Sequence, residues 1–164
     1  MPIILAALAV QAASASTPPC KAVQLRLETG PREGIADFAP RTGLLLNILN
    51  SGPDCAIAAL PPIGFRDGRG RALPISRRSP PGMHPGPALL PIELHRGHHV
   101  AIEVSWTPCP ASRGEPCARA GRLTVLIGSG LLETRVDAAV VGGPNGEFRF
   151  DQPPARVVEG VAET

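Results

Sequence analysis

The chain has 164 residues and a formal net charge of +2, with Lys21 as its one lysine. The arginines are scattered and form no basic stripe along the sequence, which disfavours nucleic acid as a partner. Twenty prolines and 18 glycines disfavour a helical domain, and the absence of tyrosine leaves few aromatic faces for stacking sugars or bases.

The chain opens with a pattern typical of a signal peptide. Residues Ile3 to Val10 are apolar and the small residues Ala13-Ser14-Ala15 follow, whereas a transmembrane helix needs about 20 apolar residues. We expect cleavage after Ala15, although no Lys or Arg precedes Ile3. A cytosolic protein with a buried N-terminal helix is the alternative. The prediction is a secreted or periplasmic protein without a transmembrane anchor: signal peptide 1–15, a single β-sandwich domain 16–150 and a flexible C-terminal tail 151–164.

Alternation of apolar and polar residues, which gives a strand one buried face, dominates the rest of the chain. It occurs at residues 23–27, 100–106, 123–127 and 132–138, and the more continuous run 44–49 predicts a central strand. Turn residues occupy 50–54, 67–70 and 128–130, and residues 145–150 suggest a last edge strand. The pattern predicts an all-β fold, an antiparallel immunoglobulin-like β-sandwich of about seven to eight short strands. A closed small barrel is the structural alternative.

The four cysteines are expected to form disulfides that staple this sandwich. Four cysteines allow three pairings. Cys109 and Cys117 flank a short loop, so a local bridge there leaves Cys20 to pair with Cys55. Chain-entropy arithmetic gives about 3–4 kcal/mol for the longer loop and about 2–3 kcal/mol for the shorter one. A zinc site of four cysteines is disfavoured because the chain has no C-x-x-C spacing.

Several of these segments together resemble the domain-of-unknown-function family 4232. The apolar run Leu44–Leu49 with the turn to Cys55 is similar to that family's strand, Asn, small turn and Cys. The segments Leu60–Gly68 and Arg96–Trp106, followed by Cys109 or Cys117, are similar to its later strands. The resemblance covers about Cys20 to Gly128. It implies a secreted or envelope β-sandwich without established chemistry.

A cluster of histidines is the one group of side chains in the sequence that suggests a metal site. His95, His98 and His99 follow one another closely, with His84 and Met83 upstream, and imidazoles are the commonest ligands of copper and zinc. On a hairpin His95 ends one strand, and at most one of His98 and His99 shares its side, because neighbouring strand residues point to opposite faces. Glu93 or Glu103 would complete a site. The alternative is a set of polar residues on a surface turn.

Motifs of catalysis are missing from the sequence. It has no G-x-S-x-G, no H-E-x-x-H and no phosphate-binding glycine loop. We therefore expect a non-catalytic domain without a cofactor, which binds a protein partner or a ligand in the cell envelope. The proline-rich loop Ser76–Pro87 is the expected contact surface. The alternative function is a periplasmic copper- or zinc-binding protein that uses His95, His98 and His99.

Overall fold

The computed structural model describes residues 16–31, 41–78, 89–110 and 114–158. The predicted signal peptide lies outside these residues. After a 3₁₀ turn at Ala22–Gln24, the described chain forms eleven strands. They are β1 (Leu25–Pro31), β2 (Thr42–Asn50), β3 (Cys55–Ile57), β4 (Ile63–Arg66), β5 (Ile75–Arg77), β6 (Ile92–Leu94), β7 (His99–Trp106), β8 (Cys117–Ile127), β9 (Gly130–Val141), β10 (Phe148–Asp151) and β11 (Arg156–Val158).

The larger sheet is built around β2 and β7. Its order is β1-β2-β7-β10-β5, and β11 pairs with β7 beside β10. The pairs are antiparallel except for the parallel pair of β5 and β10. Alternate residues of β2 and β7, such as Leu46, Ile48 and Ile102, are fully buried. The central position predicted for the run 44–49 is confirmed.

A second layer covers the buried face of this sheet. It consists of the antiparallel sheet β4-β8-β9 and the two-stranded sheet β3-β6. The ring of Phe65 on β4 lies 6.2 Å from that of Trp106 and 5.2 Å from that of Phe150, both on the larger sheet. Edge-to-face contacts of this kind add to the energy of burial. The predicted all-β, largely antiparallel sandwich is therefore confirmed, whereas the predicted count of seven to eight strands was too low for the eleven strands described.

Two disulfides staple the sandwich, and their pairing is the predicted one. Cys20 is bonded to Cys55, and Cys109 is bonded to Cys117. The longer bridge fixes the segment before β1 to β3, where the backbone N–H of Cys20 also donates to the carbonyl oxygen of Ala56 at 2.9 Å. The described ranges contain no helix long and apolar enough to cross a membrane.

The C-terminal segment differs from the predicted flexible tail at 151–164. Strand β10 lies between β7 and β5, so it is an interior strand and the prediction of an edge strand was wrong. Strand β11 then pairs with β7 over three residues. Pro153-Pro154 interrupts the sequence pattern, and Val157 is half exposed, so backbone pairing holds β11 without an apolar signal. Residues 159–164 lie outside the described chain.

Candidate functional site

The histidine cluster lies in the turn that joins β6 to β7. The N–H of His98 donates to the carbonyl oxygen of His95 at 3.1 Å, and Gly97 has a φ of 81°, which only glycine adopts without strain. His95 therefore follows one strand and His98 precedes the next, as predicted. Both side chains project from the same tight turn.

Asn50 anchors this turn to the rest of the fold. Its side chain is fully buried, and its Nδ2 donates to the carbonyl oxygens of Leu94 and Pro53, each at 2.9 Å. Its Oδ1 accepts from Gln24 Nε2 at 3.1 Å and from the N–H of Gly52 at 2.9 Å. Its backbone bonds the turn directly, through the N–H of Gly97 at 2.8 Å and the carbonyl oxygen of His98 at 3.0 Å. The amide is thus satisfied at all four of its hydrogen-bonding positions.

Asp54 is the partner of His95. The Oδ2 of Asp54 lies 2.8 Å from His95 Nδ1, and its Oδ1 accepts from the N–H of Arg96 at 2.9 Å. The hydrogen bond to the carboxylate raises the pKa of His95, and the bonds from His95 and the Arg96 N–H lower the pKa of Asp54. Since an ionised carboxylate only accepts, the proton of a neutral His95 sits on Nδ1 and the lone pair is on Nε2.

The two turn histidines face each other, and His99 does not join them. The rings of His95 and His98 have centroids 5.7 Å apart and planes at 82°. His99 pairs with Leu49 and Val158 and precedes the fully buried Val100, so its side chain lies on the outer face of the larger sheet. Of the two neighbours, His98 shares the side of His95, within the predicted limit of one.

The acidic residues proposed to complete a metal site are engaged elsewhere. Glu93 accepts from the hydroxyl of Thr17 at 2.7 Å, and Glu103 forms an ion pair with Arg156 at 3.1 Å. Within the part of the chain that the structure describes, no group of three or more His, Cys, Asp or Glu is placed to hold a metal ion. His84 and Met83 lie outside that part, as do residues 79–87 of the predicted contact loop.

A second feature, which the sequence analysis missed, is a row of arginines across the outer face of the sheet β4-β8-β9. Arg66 on β4 lies opposite Arg122 on β8, and Arg122 lies opposite Arg135 on β9. Arg122 is paired with Glu133 at 2.8 Å, and Arg66 donates to the carbonyl oxygen of Gly70 at 2.9 Å. Arg135 is exposed and makes no ion pair or hydrogen bond with another described residue. The expectation of no basic stripe is wrong for these three residues.

A register shift between Ala120 and Arg122 creates this row. Ala118 and Ala120 face the core, so strict alternation would also turn residue 122 inward. The irregularity instead leaves Arg122 exposed and buries Leu123 completely. A Cβ on Gly121 would lie 3.2 Å from the Cα of Gly68. Glycine at position 121 therefore lets the turn at residues 67–70, which follows β4, pack closely against β8. The sequence signal was the odd spacing from Ala120 to Leu123.

Two leucines stand exposed on the same face as the arginine row. Leu126 and Leu131 are direct cross-strand partners, with 40% and 53% of their surface exposed. Between them and the arginines lies the pair of Thr124 and Glu133. We call the surface formed by Arg66, Arg122, Arg135, Leu126 and Leu131 the arginine face. It combines guanidinium groups with an exposed apolar pair.

The comparisons with known proteins provide no further identification. No protein-family model, no curated protein and no solved structure matches the chain.

Proposed function

We propose that the protein is an exported, non-catalytic β-sandwich domain that binds a protein partner in the cell envelope through its arginine face. The observation that carries this proposal is the row of Arg66, Arg122 and Arg135 beside the exposed pair Leu126 and Leu131.

The arginine row has no evident role in stabilising the fold. Like charges directly opposite each other in a sheet are destabilising, by up to about 1 kcal/mol for a pair. Glu133 offsets part of this cost at Arg122, whereas Arg135 forms no ion pair with another described residue. An acidic surface on a partner would neutralise both guanidinium groups and form bidentate hydrogen bonds with them.

The composition of the arginine face favours a protein over a uniform polyanion. Glu133 and the exposed Asp137 stand among the arginines, so the face carries both signs of charge and complements a mixed protein surface better than a uniformly anionic lipid or nucleic acid surface. Arginine is enriched among the residues that carry most of the binding energy of protein interfaces, and contact with a partner would remove the exposed apolar surface of the two leucines from water. A partner with acidic side chains and an apolar pocket fits this arrangement.

Export is supported by the cysteine chemistry. Both disulfides form within the described chain and no described cysteine is free; such bridges persist in oxidising compartments and are rare in the cytosol. We infer a secreted or periplasmic location with removal of residues 1–15. Membership of the domain-of-unknown-function family 4232 stays a proposal, supported by the strand–Asn50–turn–Cys55 segment and by the Trp106 strand that precedes Cys109.

Site-specific photo-crosslinking in intact cells tests the proposed partner surface. A benzophenone amino acid replaces Leu131 on the arginine face or, as a control, the exposed Glu28 on the other sheet. We expect one protein adduct of defined mass from position 131 and none from position 28. Equal labelling at both positions would refute the proposed surface.

Charge reversal then tests the arginines themselves. Arg135→Glu should lower the yield of the adduct at position 131 about tenfold, the loss that corresponds to about 1.4 kcal/mol. Arg26→Glu is the matched control, because Arg26 is also an exposed strand arginine without a described partner, and it should change the yield less than about twofold. If the purified protein binds phosphatidylglycerol vesicles through its arginines and no protein adduct forms, the partner of the arginine face is a membrane and the proposal of a protein partner is refuted.

A further inference from the structure

We propose that His95 and His98 together bind one divalent transition-metal ion, Cu²⁺ in preference to Zn²⁺, with Asp54 holding His95 in the required tautomer. This site lies in the β6–β7 turn and shares no residue with the arginine face.

The two rings are close enough to reach one ion after their side chains rotate. A metal lies ~2.0–2.1 Å from a coordinating imidazole nitrogen and therefore ~3.2 Å from the ring centroid. Two such rings have centroids ~5.2 Å apart at a tetrahedral angle and ~4.5 Å apart as adjacent ligands of a square-planar Cu²⁺ ion. The observed centroids are 5.7 Å apart, so binding of an ion requires side-chain torsions that bring the rings about 1 Å closer.

The hydrogen bond from His95 to Asp54 orients the His95 ring for metal binding. Metal-bound histidines usually donate their second N–H to a carboxylate, which fixes the ring and makes the ligating nitrogen more basic. Here Nδ1 of His95 lies 2.8 Å from Asp54 Oδ2, so Nε2 is left to bind the metal. The carboxylate is itself held by the N–H of Arg96 at 2.9 Å.

The backbone that carries these groups is fixed on both sides. Asp54 immediately precedes Cys55, which is bonded to Cys20, and the turn is bonded to Asn50 through the N–H of Gly97. The side chains of His95 and Asp54 are 57% and 58% exposed, so an ion reaches them without a conformational change. A fixed backbone lowers the entropic cost of binding, because only side-chain torsions are left to order.

The kind of metal ion follows from the ligands, which are two imidazoles with water at the other coordination positions. Neutral imidazole suits copper, zinc and nickel, and nitrogen sites bind Cu²⁺ most strongly among the divalent first-row ions. Mg²⁺ and Ca²⁺ prefer sets of oxygen ligands, which the turn does not supply. A site with only two protein ligands holds its ion in exchangeable form, and each ligand is then indispensable.

Titration of the purified, disulfide-bonded protein with CuSO₄ or ZnCl₂ tests the site. Calorimetry should give one ion per chain, and the electron paramagnetic resonance spectrum of the Cu²⁺ form should show coupling to imidazole nitrogens. His95→Ala and His98→Ala should each abolish this stoichiometric binding. His99→Ala is the matched control, since His99 lies on the other face of the strand, and it should leave both the affinity and the spectrum unchanged.

The role of Asp54 has its own readout. Asp54→Ala should weaken Cu²⁺ binding about 10–100-fold while the imidazole coupling remains, because the ligands stay and their orienting partner is lost. His95→Gln, together with thermal unfolding of each variant, separates loss of a ligand from loss of the fold. Binding retained in the double variant His95→Ala/His98→Ala would overturn the proposal, as would equal losses in the His95→Ala and His99→Ala variants.

Discussion

Asn50 should contribute more to stability than any other single polar side chain in the described chain. The change Asn50→Leu keeps the branched shape of the side chain and removes all of its hydrogen bonds. It therefore measures the energetic contribution of these hydrogen bonds separately from that of packing. Four bonds are lost, to Gln24, Gly52, Pro53 and Leu94. A typical bond contributes about 1 kcal/mol net, and a buried partner left unsatisfied costs more. We expect a loss of about 4 kcal/mol in the free energy of unfolding.

Urea unfolding with both disulfides intact, followed by the fluorescence of the buried Trp106, measures this loss. Asn47→Leu is the matched control: Asn47 lies on the same strand, faces the outer side of the sheet and makes no side-chain hydrogen bond with a described residue. It should change the free energy of unfolding by less than about 0.5 kcal/mol. A loss below about 1 kcal/mol for Asn50→Leu would refute the reasoning, because the former hydrogen-bond partners of Asn50 would then be satisfied by water.

Two further predictions concern a glycine in the sheet and a carboxylate in a turn. Gly43→Ala should destabilise the protein by about 1–3 kcal/mol, since the new Cβ would lie 2.3 Å from the carbonyl oxygen of Val104. Gly68→Ala meets nothing within 4 Å and should show no comparable loss in the same urea titration. Hydrogen bonds from the backbone and side chain of Arg71 hold the pKa of Asp67 below its usual 3.8. The ionised Asp67 carboxylate therefore stabilises the fold above pH 3.8, and this stabilisation is lost as the pH falls through the lowered pKa of Asp67. Carbon-13 NMR of the Asp67 carboxyl should show this lowered pKa, and Arg71→Ala should move it back toward 3.8.

The long strands were predictable because their burial follows a simple period. Residues 44–49, 100–106 and 123–127 alternate or run apolar, and they became the interior strands β2, β7 and β8. The three-residue strands β3, β5 and β6 are too short to show a period. They are held by backbone pairing and by neighbouring elements, so the sequence predicted fewer strands than the eleven described.

The candidate sites show the same division between local and long-range information. The positions of His95 and His98 around a turn followed from their spacing, but Asp54 lies 41 residues before His95. The pairing of β3 with β6 and the hydrogen bonds of Asn50 to Pro53 and Leu94 bring them together. The arginine row likewise depends on strand register, because residues 66, 122 and 135 meet only when β4, β8 and β9 align. A sequence read along one strand at a time does not contain that register.

The two proposals are physically separable, and their failures have different meanings. The histidine turn is held by Asn50 and the Cys20–Cys55 bridge, whereas the arginine face depends on the register of β8 and β9. His95→Ala should therefore leave the photo-adduct at position 131 intact, and Arg135→Glu should leave Cu²⁺ binding intact. Loss of partner binding in the His95→Ala variant would mean that the histidine turn is part of the interface. Loss that Cu²⁺ chelation reproduces in the unchanged protein would make that contact metal-dependent.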